Sequence, residues 1–288
     1  MALEWLGLAL AAAVLNGFSV LAAKPSADRL GPWVMWLGAI LMEGIAFLVA
    51  GLLWPRGPGT ADAGLVLAAV SAGILGAMGY LTFFAGMTRG TVGLVGTISA
   101  TAPVLTILLS VAFLHETLGV LQVLGIVMTV SCVLLLTVDP KHASMSRRLA
   151  VILSLGSFLV WGLWGFLVKA SVGVLGEGDL FLFLGSGYLG VSVIAAIRWK
   201  MGSALEDPVS RSTWGLGLFV FLTGSIAAIV LAAAYDVGPA SVVAPVTGTY
   251  PVIATLGAWA LLRERPDWRI GVALVFFVVG VSLLSVAG

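Results

Sequence analysis

Apolar runs of about twenty residues recur from one end of the chain to the other, parted by short polar or Pro/Gly-bearing breaks. At about 1.5 Å per residue, each run is long enough to cross about 30 Å of hydrocarbon as a helix. Taking charges and Pro/Gly clusters as boundaries predicts ten spans: 4–23, 32–53, 63–86, 92–114, 120–138, 150–169, 180–197, 214–234, 240–262 and 270–286. Connections are short except Asp139–Arg148 and Arg198–Thr213, the latter carrying the polar SALEDPVSRS. No stretch alternates apolar and polar residues over ten positions, so barrel strands are excluded. The pattern predicts an all-α, polytopic membrane protein with no room for a soluble domain. The first run lacks a basic lead and a small-residue cleavage site, so it is expected to be a permanent helix and not a signal peptide.

The spans come in two sets. Gly238–Glu264 (GPASVVAPVTGTYPVIATLGAWALLRE) superposes without a gap on Gly90–Glu116 (GTVGLVGTISATAPVLTILLSVAFLHE) at an offset of 148 residues. Gly90 falls on Gly238, Thr101 on Thr249, Pro103 on Pro251, Leu114 on Leu262 and Glu116 on Glu264. Upstream, NGFSVLAAK at Asn16–Lys24 meets WGLWGFLVK at Trp161–Lys169. Such self-similarity marks a duplicated unit, with residues 1–140 as the first five-helix repeat and 149–288 as the second. Because five is odd, the second repeat must enter the membrane from the opposite side. The two are then inverted copies about an axis in the bilayer plane, an arrangement common in secondary transporters.

Composition agrees and removes alternatives. Hydrophobic residues make up 60% of the chain and charged ones 9%, and mean hydropathy is +1.15, whereas soluble domains carry about a quarter charged residues. The 37 glycines suit closely packed membrane helices. Lys and Arg are scattered over short loops, so nucleic acid is excluded as a partner. Cys132 stands alone in an apolar run, and His115 and His142 have no neighbours at ligand spacing; neither a metal nor any other cofactor is expected. Of the 14 Lys and Arg, all but Arg56 and Lys169 collect on one side, which the positive-inside rule places in the cytoplasm, with both termini outward.

The paired Gly…Thr-x-Pro-Val…Leu-x-Glu blocks, the WGLWGFLVK stretch and the ten-helix duplication resemble the drug/metabolite transporter superfamily, in particular its EamA-type members. The resemblance covers essentially the whole chain and is strongest over Ala233–Val286. It implies a ten-helix fold with a central cavity between two four-helix halves. The fifth helix of each half would pack peripherally or at a homodimer contact. It also implies export or uptake of small organic solutes such as amino acids and their derivatives, sugars, amines or nucleotide precursors. Two departures stand out: Asn16 occupies the first-copy position of Trp161, and many relatives are described with cytoplasmic termini, against the charge count.

Candidate chemistry is sparse. Glu43 is the one acid of 13 placed deep within a span. There a carboxyl costs several kcal/mol unless paired, protonated or hydrated; it is a candidate for proton coupling or for answering a cationic solute, against a packing role. Lys24 and Lys169 end the first helix of each repeat, as cavity-mouth cations or as snorkelling lysines. Pro103 and Pro251 stand inside their spans, as does Pro245, and are expected to bend them and free carbonyls. Thr97, Ser99, Thr101, Thr247, Thr249 and Tyr250 cluster before these prolines and could line a solute cavity or only tie helices together. Trp161 and Trp164, three apart on one face, could form an aromatic enclosure for an ammonium with Tyr80, Tyr188 and Glu43, with Asn16 at the equivalent place in the first repeat. Glu116 and Glu264 are expected to cap the N-terminus of the helix that follows each.

The reading is a secondary transporter in the cell membrane. It would move a small organic solute, such as an amine or amino acid, by alternating access and with proton coupling through Glu43; the alternative is a carrier or flippase for a lipid-linked or amphipathic substrate. No Walker A motif is present, and no Ser/His, paired-Asp or metal constellation supports an intramembrane enzyme.

Overall fold

A computed structural model describes residues 4–57, 62–90, 92–137, 145–200, 210–262 and 268–286. Among them every regular element is an α-helix. Glu264, expected as a cap, lies outside the described residues.

The first helix, α1 (Glu4–Leu53), runs through both of the first two predicted spans. Its limbs, 4–30 and 32–53, meet at Gly31, whose φ of +78° glycine adopts without a steric cost. Pro32 opens the second limb, where a missing N–H is harmless. The Lys24–Arg29 segment, expected as a loop, is helical: Ser26 Oγ donates to Ala22 O at 2.8 Å and Lys24 pairs with Asp28 one turn on, also at 2.8 Å. The third span is α2 (Ala63–Met87), started by Asp62, whose carboxylate accepts from Gly64 N.

The fourth span is two helices, α3 (Val92–Ala100) and α4 (Ala102–Phe113), parted at Thr101. Then follow α5 (Val120–Thr137), α6 (Met145–Leu175), α7 (Glu177–Lys200) and α8 (Arg211–Val237). The ninth span is again broken, into α9 (Ala240–Thr247) and α10 (Tyr250–Leu262), and α11 (Trp268–Val286) is the tenth. Ten crossings result among the described residues.

Both breaks fall at the same point of the repeat and are closed by the same bonds. Thr101 Oγ1 donates to Ile98 O at 2.7 Å, and Thr249 Oγ1 donates to Val246 O at 2.5 Å. Backbone bonds from Val104 N to Thr101 O and from Val252 N to Thr249 O start the second helix of each pair. Pro103 and Pro251 therefore occupy the second position of α4 and α10. A first-turn N–H has no partner within its own helix, so proline fits there without loss. These prolines do not bend continuous helices; they begin new ones.

Packing follows a two-fold exchange. The helix α2 lies on α6, and its counterpart α8 lies on α1; α4 lies on α6, and α10 on α1. The second limb of α1 pairs with its own counterpart α7, and α5 with α11. Small residues permit the approach: a Cβ on Gly125 would come 2.9 Å from Gly280 O, and one on Gly280 3.1 Å from Gly125 O, the small-residue packing of membrane helices. With five crossings per repeat, this axis lies in the membrane plane. Outside the bundle, Leu53, Leu67, Phe113, Val120 and Trp268 are exposed, an apolar surface that hydrocarbon and not water must cover.

Tracing the crossings places the α4–α5 turn, Lys169, the α8–α9 turn and the start of α1 on one face. Lys24, Arg29, Arg89, Arg148, Arg198 and Arg211 share the other. At the first of these faces the repeats are tied by Glu116, whose Oε1 and Oε2 accept from Ala240 N and Ser241 N at 2.9 Å each. Glu116 thus caps a helix of the other repeat, α9, and not its own neighbour α5. Trp5 is buried against Gly238 at this face.

Candidate functional site

The cavity lies where α1, α2, α6, α7 and α8 meet the two broken spans. About 140 Å³ of it is open to water-sized molecules.

Glycines of α2 shape one wall. A Cβ at Gly76 would strike the Tyr188 hydroxyl and come 3.0 Å from Trp164 Cδ1, and one at Gly79 would strike the Trp161 indole. Three rings from α6 and α7 thereby seat directly on the α2 backbone. Tyr80, next along α2, meets Trp161 edge-on with ring centroids 5.4 Å apart, and Phe83 meets it at 5.3 Å. Tyr188 is held from behind by Phe47, stacked at 5.8 Å.

Glu43 projects from the second limb of α1 into this aromatic corner and is 2% exposed. Its hydrogen-bond partners are the hydroxyls of Tyr80 and Tyr188. Among the described lining residues it is the single carboxyl, and no Lys or Arg lines the cavity with it. A full charge so placed has no counter-ion among the described residues; a proton or a cationic guest would balance it.

The far wall is made by the broken spans. Ser99 lies in the last turn of α3, Pro103 in the first turn of α4, and Thr247, Gly248 and Tyr250 lie around the second break. Tyr250 Oη reaches across the pseudo-symmetry axis to donate to Gly96 O at 3.3 Å. Asn16 joins from α1.

Of the residues singled out from sequence, Asn16, Glu43, Tyr80, Ser99, Pro103, Trp161, Trp164, Tyr188, Thr247 and Tyr250 line this one cavity. Thr101 and Thr249 do not; their hydroxyls are spent closing the helix breaks. Pro251 is buried off the cavity, and the side chain of Thr97 lies outside what is described. Neither lysine lines it either. Lys24 donates to Met87 O at 2.7 Å, and Lys169 to Tyr235 O at 2.6 Å and Gly238 O at 2.9 Å. Met87 and Tyr235 are equivalent in the repeat, so both lysines cap the last carbonyls of α2 and α8, a favourable end of the helix for a cation.

Sequence reading missed Ser19, Thr106 and Tyr235, all at the cavity. Ser19 lies three residues beyond Asn16 and Thr106 three beyond Pro103, one turn along the same helix face, which was a usable signal. Tyr235 was lost by ending the eighth span one residue early. Ser19 Oγ donates to Val220 O at 3.1 Å and Thr106 Oγ1 to Gly162 O at 2.9 Å.

Comparison with known proteins fits this architecture. A curated relative from Methanocaldococcus jannaschii, described as "Uncharacterized protein MJ1333.1", is 28% identical over 132 residues, 46% of this chain and 95% of its own length. A solved structure, described as "Crystal structure of protein", aligns with a TM-score of 0.74 at 16% identity, covering 96% of this chain and 94% of that one; it shares the fold. The model of the EamA-like transporter family matches twice, at residues 3–138 and 148–286. With nearly all of the chain matched, this protein belongs to the EamA-like transporter family and is a multi-pass membrane transporter of the drug/metabolite type.

Proposed function

We propose that this transporter is a secondary carrier for a small organic amine or amino acid, working by alternating access in the cell membrane with its Lys/Arg-rich face in the cytoplasm. The observation that carries the reading is Glu43, a buried carboxyl with no cationic partner among the described residues, in an aromatic-walled cavity between the repeats.

The chemistry is simple. When Glu43 is ionised, an ammonium entering beside it gains a counter-charge and the π-faces of Trp161, Trp164, Tyr80 and Tyr188. When the ammonium leaves, a proton takes its place, so that Glu43 is never a bare charge in the membrane interior. Exclusive occupancy by one or the other is what couples two fluxes. Inverted repeats supply the other requirement, because exchanging their conformations turns a cavity open to one face into the same cavity open to the other. Asn16 adds a hydrogen bond that orients the solute, while the hydroxyls of Thr247 and Tyr250, which donate to Val243 O and Gly96 O, can serve it only as acceptors.

The test is flux in liposomes containing the purified chain, with labelled amines, amino acids and sugars, with and without a pH gradient. Gradient-driven uptake of an ammonium solute is expected, and Glu43→Gln should abolish the response to the gradient. Intact proton-driven flux in that variant would overturn the coupling role. Movement of an amphipathic lipid analogue in preference to all of the soluble probes would replace the solute reading with a leaflet carrier.

A further inference from the structure

The turn between α4 and α5 carries a local conflict. Helices often end on one residue in the left-handed conformation, and glycine usually takes that place because it has no Cβ. Instead α4 runs out into His115 at φ +56°, the one left-handed residue other than glycine among the described residues. Glu116 N folds back to donate to Ser110 O at 3.4 Å and closes the turn. Such strain persists only where the surroundings enforce it, and it collects at switches. Here the enforcing contact comes from the next residue, because Glu116 holds Ala240 N and Ser241 N of the other repeat at 2.9 Å each.

What Glu116 joins is free to move. Both α4 and α9 are half-helices, and they pack on each other. The first starts at the break by Thr101, and the second stops at the break by Gly248. Ala102, Pro103 and Thr106 of α4 and Ala244 and Thr247 of α9 line the cavity, so the ends nearest the breaks form its wall. Their far ends lie at the membrane face, where Glu116 grips the first turn of α9. Each half-helix can swing about its break without carrying the other half of its span. The join is also separable: it consists of hydrogen bonds to a half-buried carboxylate, and water can replace those bonds.

We infer that the His115–Glu116 turn is a strained latch: its grip on α9 holds the two half-helices together and the cavity shut at this face, and its release lets His115 relax and the cavity open there. This rests on the reading of alternating access and goes beyond it by assigning the contact that must break. Because the strain lies on the latched side of the equilibrium, it offsets part of the grip and keeps the two conformations close in free energy, as a switch requires.

Dipolar EPR spectroscopy of the purified full chain in lipid nanodiscs tests the latch without any solute. One pair of nitroxides, on Thr117→Cys and Val237→Cys, spans the latch; a second, on Arg89→Cys and Trp268→Cys, spans the opposite face. Cys132 is buried and takes up no label. In Glu116→Ala the share of molecules with a lengthened first distance should rise severalfold over wild type, and the second distance should shorten in the same share. Glu116→Gln keeps one acceptor, serves if the first variant does not fold, and should give an intermediate share. His115→Gly removes the strain and leaves the grip, so it should move the populations the other way. Lengthening of the first distance with no change in the second would mean local fraying of α9 and would overturn the latch. Populations in all three variants equal to those of a wild type that shows two distances at each face would overturn it too, while leaving alternating access intact. A single, unchanging distance at each face in wild type and every variant would refute alternating access and the latch together.

Discussion

Glu116 offers the sharpest quantitative test of how the repeats are joined. Its carboxylate accepts from Ala240 N and Ser241 N, each at 2.9 Å, across 124 and 125 residues of sequence. Those two N–H groups open α9 and have no acceptor within it. Glu116→Ala removes both acceptors and leaves a partly buried helix end uncapped. Hydrogen bonds to a charged acceptor contribute about 1.5–3 kcal/mol each, but these are only partly buried and water can replace them in the variant. A net loss of about 2–3 kcal/mol is therefore expected. Glu116→Gln keeps one acceptor oxygen and should lose about half of that. Lys169, which feels the Glu116 charge, keeps its own bonds to Tyr235 O and Gly238 O, so α8 should stay capped. The assay is reversible denaturation in detergent micelles followed by tryptophan fluorescence, which reports on ten indoles spread through the bundle. A midpoint for Glu116→Ala equal to that of wild type would refute the cap. Equal losses for the Ala and Gln variants would point instead to lost charge as the cause.

Two further outcomes follow from the packing. Gly76→Ala would normally gain about 1 kcal/mol of helix propensity, but its Cβ would displace Tyr188 and Trp164, an overpacking cost of about 1–3 kcal/mol; solute affinity should fall about tenfold by calorimetry. Gly173→Ala, where nothing lies within 4 Å, is the control and should leave affinity unchanged. Thr249→Val loses the bond that closes the second helix break, at about 1 kcal/mol of stability, and should not alter solute affinity. A tenfold affinity loss in that variant with unchanged stability would return Thr249 to the site.

The errors of the sequence reading share one cause. Hydropathy runs registered the fourth and ninth spans as continuous, because Thr101, Gly248 and Thr249 are small enough not to interrupt an apolar stretch. The Thr-x-Pro signature was visible in both, but a proline inside a helix and a proline at the start of one look alike in one dimension. Only the bond from Thr101 Oγ1 to Ile98 O and its twin at Thr249 separate the two cases. Lys24 and Lys169 misled in the same way: their position at a helix end was legible, their acceptors on α2 and α8 were not. Glu116 was recognisable as a cap, yet the helix that it caps lies in the other repeat.

What the sequence by itself determined is whatever depends on local composition and on repetition. That covers the membrane as solvent, ten apolar spans, the duplication at an offset of 148, the inverted sense imposed by an odd number of crossings, and Glu43 as the anomalous acid. Tertiary structure alone decided which polar groups were already satisfied. A hydroxyl, an indole N–H or an ammonium has the same sequence whether its partner is a carbonyl on another helix or a guest in a cavity. Burial within the bundle brings distant elements to within 3 Å of each other, and only at that range does one of them use up a donor.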